Sequence, residues 1–185
     1  MNSRTSFLLF ASVFVTFAAR GLPAQAQPAA TVPGLRAGTP AALAMGDRVF
    51  IKEASEISRF EVDASQLAVK GAANEKVRDY AATLVRDHKE AGAGLLRLSY
   101  ARGLTPPLMT GAHRQTLNQL AKAHGAGFDR IYLEKVGLQS HRDSIKRFEV
   151  ASNDVRDAEL KTWIDSTLPL MREHLAQAQK LAGKR

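Results

Sequence analysis

The stretch NEKVRDYAATLVRDHKEAGAGLLRL, residues 74–98, decides the fold. Inward candidates recur in it every three or four residues: Val77, Ala81, Leu84, His88, Ala91, Leu95 and Leu98. This spacing predicts one amphipathic α-helix. Asn74 is a good N-cap, and Gly103 followed by Pro106 ends the pattern.

Three other segments carry the same pattern, at about 46–71, from about 128, and from about 153. A short helix around residues 113–123 precedes the third long one. Alternation typical of strands is missing. The links between the first two and the last two long helices are only a few residues long, which favours antiparallel neighbours. We therefore predict an all-α, up-down-up-down four-helix bundle with one extra short helix.

The N-terminus has the three parts of a secretory signal: a basic start, an apolar run over residues 7–19, and Ala24-Gln25-Ala26. We predict a signal peptide over residues 1–26, cleaved near Ala26. A flexible linker rich in proline and glycine follows over 27–45, and the bundle domain over 46–182. The alternative, a membrane anchor, is disfavoured because the run falls short of the roughly 20 apolar residues that span a bilayer.

Charge and composition exclude several classes of function. The chain carries a formal charge of +8, and the leader removes two arginines and no acid, which leaves +6. The basic residues are mixed with acids along the chain, which favours weak association with anionic envelope surfaces and disfavours nucleic-acid binding. We predict no transmembrane span in the mature chain. There is no cysteine, no phosphate-binding loop and no nucleophile at recognisable spacing, so nothing indicates an enzyme.

Each helical line contains an ionisable residue where an apolar one is expected. These are Glu61, His88, His141 and His174, with Glu134 one heptad before His141. Burial of such groups is costly unless they pair with one another or bind a metal. We estimate heights along the bundle at ~1.5 Å per residue, counted from the short links. Glu61 and His141 then lie at one level, and His88 and Glu134 form a second plausible pair. His174 lies a turn or more lower. A polar core network, a metal site and exposed groove residues all remain open. No Glu-x-x-His pair is present, which counts against a di-iron centre.

Several motifs resemble the DUF4142 family of exported bacterial proteins. They are Phe60-Glu61-Val62, Leu84 to His88, Phe128 to Leu133, His141 with Phe148-Glu149, and Leu168 to Leu175. The resemblance implies a ferritin-like bundle in the periplasm or associated with the outer membrane. The family's Glu and three His fall on Glu61, His88, His141 and His174. The role of Glu134 is less secure because typical members have another residue there.

Two functions follow as hypotheses. The first is a non-enzymatic binding or envelope-stress protein whose Glu and His side chains form a buried polar network. The second is a metal-binding protein that uses Glu61, His88, His141 and His174 as ligands, with Glu134 as an additional candidate. Imidazole and carboxylate ligands suit zinc, iron or copper.

Overall fold

The computed structural model describes residues 43–183. It has helices α1 (Met45–Gly71), α2 (Glu75–Ala101), α3 (Gly111–Lys122) and α4 (Gly125–Tyr132), a π-helical segment (Leu133–Ser140), α5 (His141–Asp154) and α6 (Ala158–Leu181). Residues 43–183 contain no strand, which confirms the all-α prediction. None of their helices is both long and apolar enough to cross a bilayer. The predicted signal peptide, and the linker up to residue 42, lie outside the described residues.

Side-chain caps and helical continuity define four long helices. Asn74 caps α2 by accepting from the Lys76 amide at 2.9 Å, and Asp157 caps α6 by accepting from the Leu160 amide at 2.9 Å. The segments α4, π and α5 follow one another without a break, so residues 125–154 form the third long helix. Helix α6 continues through Pro169. The predicted long helices and the short one before the third are thus confirmed.

The direction of the third long helix differs from the prediction. Near its start, the Asp129 carboxylate accepts from the amides of Ala73 and Asn74, at 2.9 and 2.8 Å, in the α1–α2 connection. At its far end, the Asp157 amide donates to Asp47, in the first turn of α1, at 3.0 Å. The third helix therefore runs parallel to α2, and the order is up-down-down-up. The predicted up-down-up-down order is wrong.

A long crossover causes this difference. The chain from Arg102 to His124 returns from the end of α2 to the end of the bundle where α2 began, and α3 packs against α1 on the way. The buried Glu56 carboxylate holds the crossover by accepting from the Thr110 amide and contacting Nδ1 of His113, both at 2.7 Å. One long crossover is the connectivity of ferritin-like bundles.

The bundle core consists of two apolar clusters. One contains Phe60, Leu84, Leu138 and Ala178, and the other contains Ala54, Leu95, Ile145 and Met171. On three of the four long helices, one histidine falls between a residue of the first cluster and a residue of the second. A polar layer therefore lies across the middle of an otherwise apolar core.

Candidate metal centre

The polar layer consists of one ionisable residue from each long helix. Glu61 and His141 are fully buried, His174 is 1% exposed and His88 is 5% exposed. These are the four residues that the spacing analysis selected, and the structure brings them together. An inward position on every helix is thus confirmed for this set.

The three imidazole rings form a nearly equilateral triangle. The ring centroids of His88, His141 and His174 lie 5.2–5.5 Å apart. Nε2 of His88 lies 3.4 Å from Nε2 of His141. One nitrogen from each ring falls within 4.8 Å of the other two. Three nitrogens from three helices therefore converge on one point.

The outer nitrogens of two rings face hydrogen-bond acceptors. Nδ1 of His141 lies 2.9 Å from the carbonyl oxygen of Val136, and Nε2 of His174 lies 3.0 Å from a carboxylate oxygen of Asp87. A carbonyl and an ionised carboxylate only accept, so both of these nitrogens carry the proton. Nε2 of His141 and Nδ1 of His174 are then lone-pair nitrogens. The latter has no hydrogen-bond partner among the described residues.

Glu61 lies behind two of the rings and outside the triangle. Its carboxylate oxygens are 3.4 Å from Nδ1 of His88 and 3.6 Å from Nδ1 of His141, the ring atoms that face away from the shared Nε2–Nε2 contact. The Ser140 hydroxyl donates to Glu61 Oε1 at 2.7 Å. Glu61 is therefore placed to orient histidines, in the way that outer carboxylates orient metal-binding imidazoles.

When all three imidazole rings are neutral, each of the two tautomers of His88 leaves one repulsive contact. With the proton on Nδ1, toward Glu61, the lone pairs of His88 and His141 face each other at 3.4 Å. With the proton on Nε2, the lone pair of His88 faces the carboxylate. A cation between the three nitrogens removes the conflict, because every outer nitrogen then donates outward and every inner lone pair is satisfied.

The pKa directions agree with neutral imidazoles beside ionised carboxylates. Burial lowers the pKa of His88 to about 4, although Glu61 opposes the shift. Burial also lowers the pKa of His174. Burial alone would raise the pKa of Glu61, but the nearby histidines and the hydroxyl of Ser140 outweigh it and lower the pKa. The lowered pKa values therefore favour neutral rings for His88 and His174, next to negative charge on Glu61 and Asp87.

The triangle has the size of a transition-metal site. Zinc binds imidazole nitrogen at about 2.0–2.1 Å in a tetrahedral geometry, which separates neighbouring nitrogens by roughly 3.4 Å. The His88–His141 pair is at 3.4 Å already, and the His174 nitrogen, which lies within 4.8 Å of both, would have to move closer to reach the same separation. With no cysteine in the chain, the donors are imidazoles, which suit zinc, copper or ferrous iron.

A family model described as a domain of unknown function, DUF4142, matches residues 33–181. The chain belongs to the DUF4142 family. No curated protein matches the chain, and neither does any solved structure. The buried Glu and His positions that the family resemblance implied are the polar layer seen in this DUF4142 bundle.

Glu134 does not join the polar layer of this family member. Its side chain is exposed and lines a surface cavity with Arg130 and Lys135. The heptad rule fails because residues 133–140 are π-helical, and i→i+5 bonding adds residues to each turn. Seven residues then no longer return to the same face, so both the inward reading of Glu134 and its pairing with His88 are wrong.

The earlier estimate that put His174 a turn lower is also wrong. It assumed that both short links lie at one end, whereas the links lie at opposite ends of this bundle. Recounted with the observed directions, all four residues lie roughly 16–21 Å from the α1–α2 connection.

Asp87 is the functional candidate that sequence reasoning missed. A charged residue next to an inward His88 is expected on the solvated flank of the helix, but the Asp87 side chain is only 12% exposed and contacts His174 on α6. Arg86 donates to its other oxygen at 2.8 Å. Nothing in the helical spacing of α2 signals this role, because the partner lies on another helix.

Proposed function

We propose that this protein binds one divalent transition-metal ion through Nε2 of His88, Nε2 of His141 and Nδ1 of His174. The convergence of three lone-pair nitrogens, each with its other ring nitrogen turned toward an acceptor, carries the proposal. Glu61 and Asp87 do not bind the ion but orient the imidazole rings that do. This replaces the earlier four-ligand set with three histidines and two orienting carboxylates.

The rival hypothesis is a self-satisfied polar network without an ion. It requires the buried groups to bond one another, yet within residues 43–183 Nδ1 of His174 and Oε2 of Glu61 have no hydrogen-bond partner. It also requires a protonated His88 to relieve the contact with His141, and burial opposes that proton. A bound dication satisfies Nδ1 of His174 and leaves Nδ1 of His88 to donate toward Oε2 of Glu61, without protonating any ring.

A holding role fits better than a catalytic one. The three histidines are at most 5% exposed, and both apolar clusters enclose the layer. A catalytic metal keeps an open position for substrate. Enclosure by core side chains favours storage, buffering or carriage of the ion.

The test is metal titration of purified, chelator-stripped protein with Zn²⁺, Co²⁺ and Cu²⁺, read by calorimetry and elemental analysis. We expect one ion per chain. The variants H88A, H141A and H174A, checked for folding by circular dichroism, should each lose tight binding. His124→Ala is the matched control, because this histidine is exposed and lies outside the triad. Wild-type protein that takes up no ion would refute the proposal.

We also propose that the protein is exported and holds the metal in the periplasm or at the outer membrane. The support is the basic, apolar and Ala-x-Ala order of the leader, together with membership of DUF4142. Intact mass of protein recovered from the cell envelope should match a chain that begins at Gln27. Recovery of a chain that retains Met1 would contradict cleavage.

A further inference from the structure

We infer that the ion reaches the triad through one surface groove, named here the α1–α3 groove. The inference rests on the proposed metal-binding function. The groove has a volume of about 510 Å³ and lies between α1, the first half of α3 and the third long helix. Its walls include Glu53, Glu56, His113, Gln115 and Arg147.

The floor of the groove consists of neighbours of the site residues. Phe60 precedes Glu61, Ser140 precedes His141, and Ser144 lies one turn further along α5. Ser140 also donates directly to the Glu61 carboxylate. A single layer of side chains therefore separates the groove from the polar layer.

Ser144 provides a second, independent sign of a ligand path. The residue is 1% exposed, its Oγ has no hydrogen-bond partner among the described residues, and it lines the groove. A buried hydroxyl without a partner is destabilising. A water molecule or a hydrated ion passing the floor offers the missing bond.

The chemistry of the walls suits a dication in transit. Three carboxylates line the groove, from Glu53, Glu56 and Asp143, beside the cations Lys135 and Arg147, of which Arg147 pairs with Glu53 at 2.6 Å. Glu56 Oε1 lies 2.7 Å from Nδ1 of His113, which repeats the arrangement of Asp87 with His174. Nδ1 of His113 donates to this carboxylate, so in the neutral ring Nε2 is the lone-pair nitrogen. The His113 side chain is 24% exposed and stacks on Phe60.

The test blocks the groove without touching the triad. The chain has no cysteine, so Gln115→Cys introduces a single thiol on the groove wall. Asn118→Cys is the matched control, since Asn118 is exposed on the same helix but does not line the groove. Each variant is modified with small N-ethylmaleimide or with bulky pyrene maleimide, so that only the size of the label differs. Stopped-flow absorbance then follows Co²⁺ loading and chelator-driven release.

We expect the bulky label at position 115 to slow both loading and release by roughly tenfold relative to the small label, with an unchanged dissociation constant. A blocked route slows loading and release by the same factor and leaves the dissociation constant unchanged. A distorted site changes the dissociation constant. The two labels at position 118 should give equal rates. Loading that is indifferent to the label at 115 overturns the route but leaves the metal site intact. If unlabelled wild-type protein takes up no Co²⁺, the metal function itself fails and the route with it.

Discussion

At the scale of single residues, each histidine of the triad is defined by the atom behind it. Val136 offers His141 a backbone carbonyl, Asp87 offers His174 a carboxylate, and Glu61 lies against His88. These contacts decide which ring nitrogen is left for an ion. The residue type specifies only an imidazole, and the outer partner fixes which of its two nitrogens carries the proton.

Replacement of Asp87 by asparagine should weaken metal binding without abolishing it. An amide can present its NH₂ to the ring, so the preference for a proton on Nε2 of His174 is lost. We expect the affinity to fall roughly 10–100-fold with the stoichiometry unchanged at saturation. Competition with a chelator measures the affinity. Asp79→Asn, exposed on the same helix, is the control, and equal affinities for the two variants would contradict the role of Asp87.

The buried His88 makes the stability of the metal-free protein depend on pH. Its pKa is about 4 in the folded state and about 6.5 in an unfolded chain. The unfolded state therefore binds the proton first as the pH falls. The contribution is complete above pH ~6.5 and is lost between ~6.5 and ~4, with a magnitude on the order of 3 kcal/mol. Urea unfolding in chelator across this range measures it. His88→Gln should flatten the profile, and an equally steep profile in that variant would argue against His88 as the source.

At the scale of elements, the π-helical segment at residues 133–140 and its packing against α6 determine which side chains of the third long helix face the core. The π-helical turn points Glu134 outward and supplies the Val136 carbonyl to His141. Gly137 lies in the same segment and packs closely against α6: a Cβ added there would lie 2.9 Å from Cβ of Ala178. The absent side chain lets α6 bring His174 to the triangle.

Gly137→Ala should therefore destabilise the protein. The added methyl group forces α6 away or strains Tyr80, whose hydroxyl would lie 3.4 Å from it. Overpacking of this kind costs about 1–3 kcal/mol. Gly127→Ala is the control, because its Cβ meets nothing within 4 Å, and alanine there should be neutral or stabilising. Denaturant midpoints compare the two variants, and equal midpoints would show that the close approach is not required.

At the scale of the whole molecule, the proposed metal centre would join four helices. The triad draws one ligand each from α2, α5 and α6, and Glu61 adds α1. An ion that binds only where the four helices meet binds the folded state and not the unfolded chain. Metal and global stability are therefore linked.

Metal addition should raise the melting temperature of the wild-type protein. At a free ion concentration 100 times the dissociation constant, the gain is about 2.7 kcal/mol. Differential scanning calorimetry with and without Zn²⁺ measures the shift. H174A should lose most of it, while His124→Ala should keep it. A shift of the same size in H174A would place the stabilising ion elsewhere on the protein.

Local patterns in the sequence determined the helices and the one ionisable residue on each inward line, because side-chain spacing along a helix depends only on residues within a few turns. Only the tertiary structure decided the direction of the third long helix, the common level of His174 and the role of Asp87. These depend on how the crossover at 102–124 packs against α1 and on which side chains face each other across helices. Glu134 shows where local patterns fail. Its spacing fitted an α-helix, but the chain forms a π-helical turn there, and this turn points the Glu134 side chain outward.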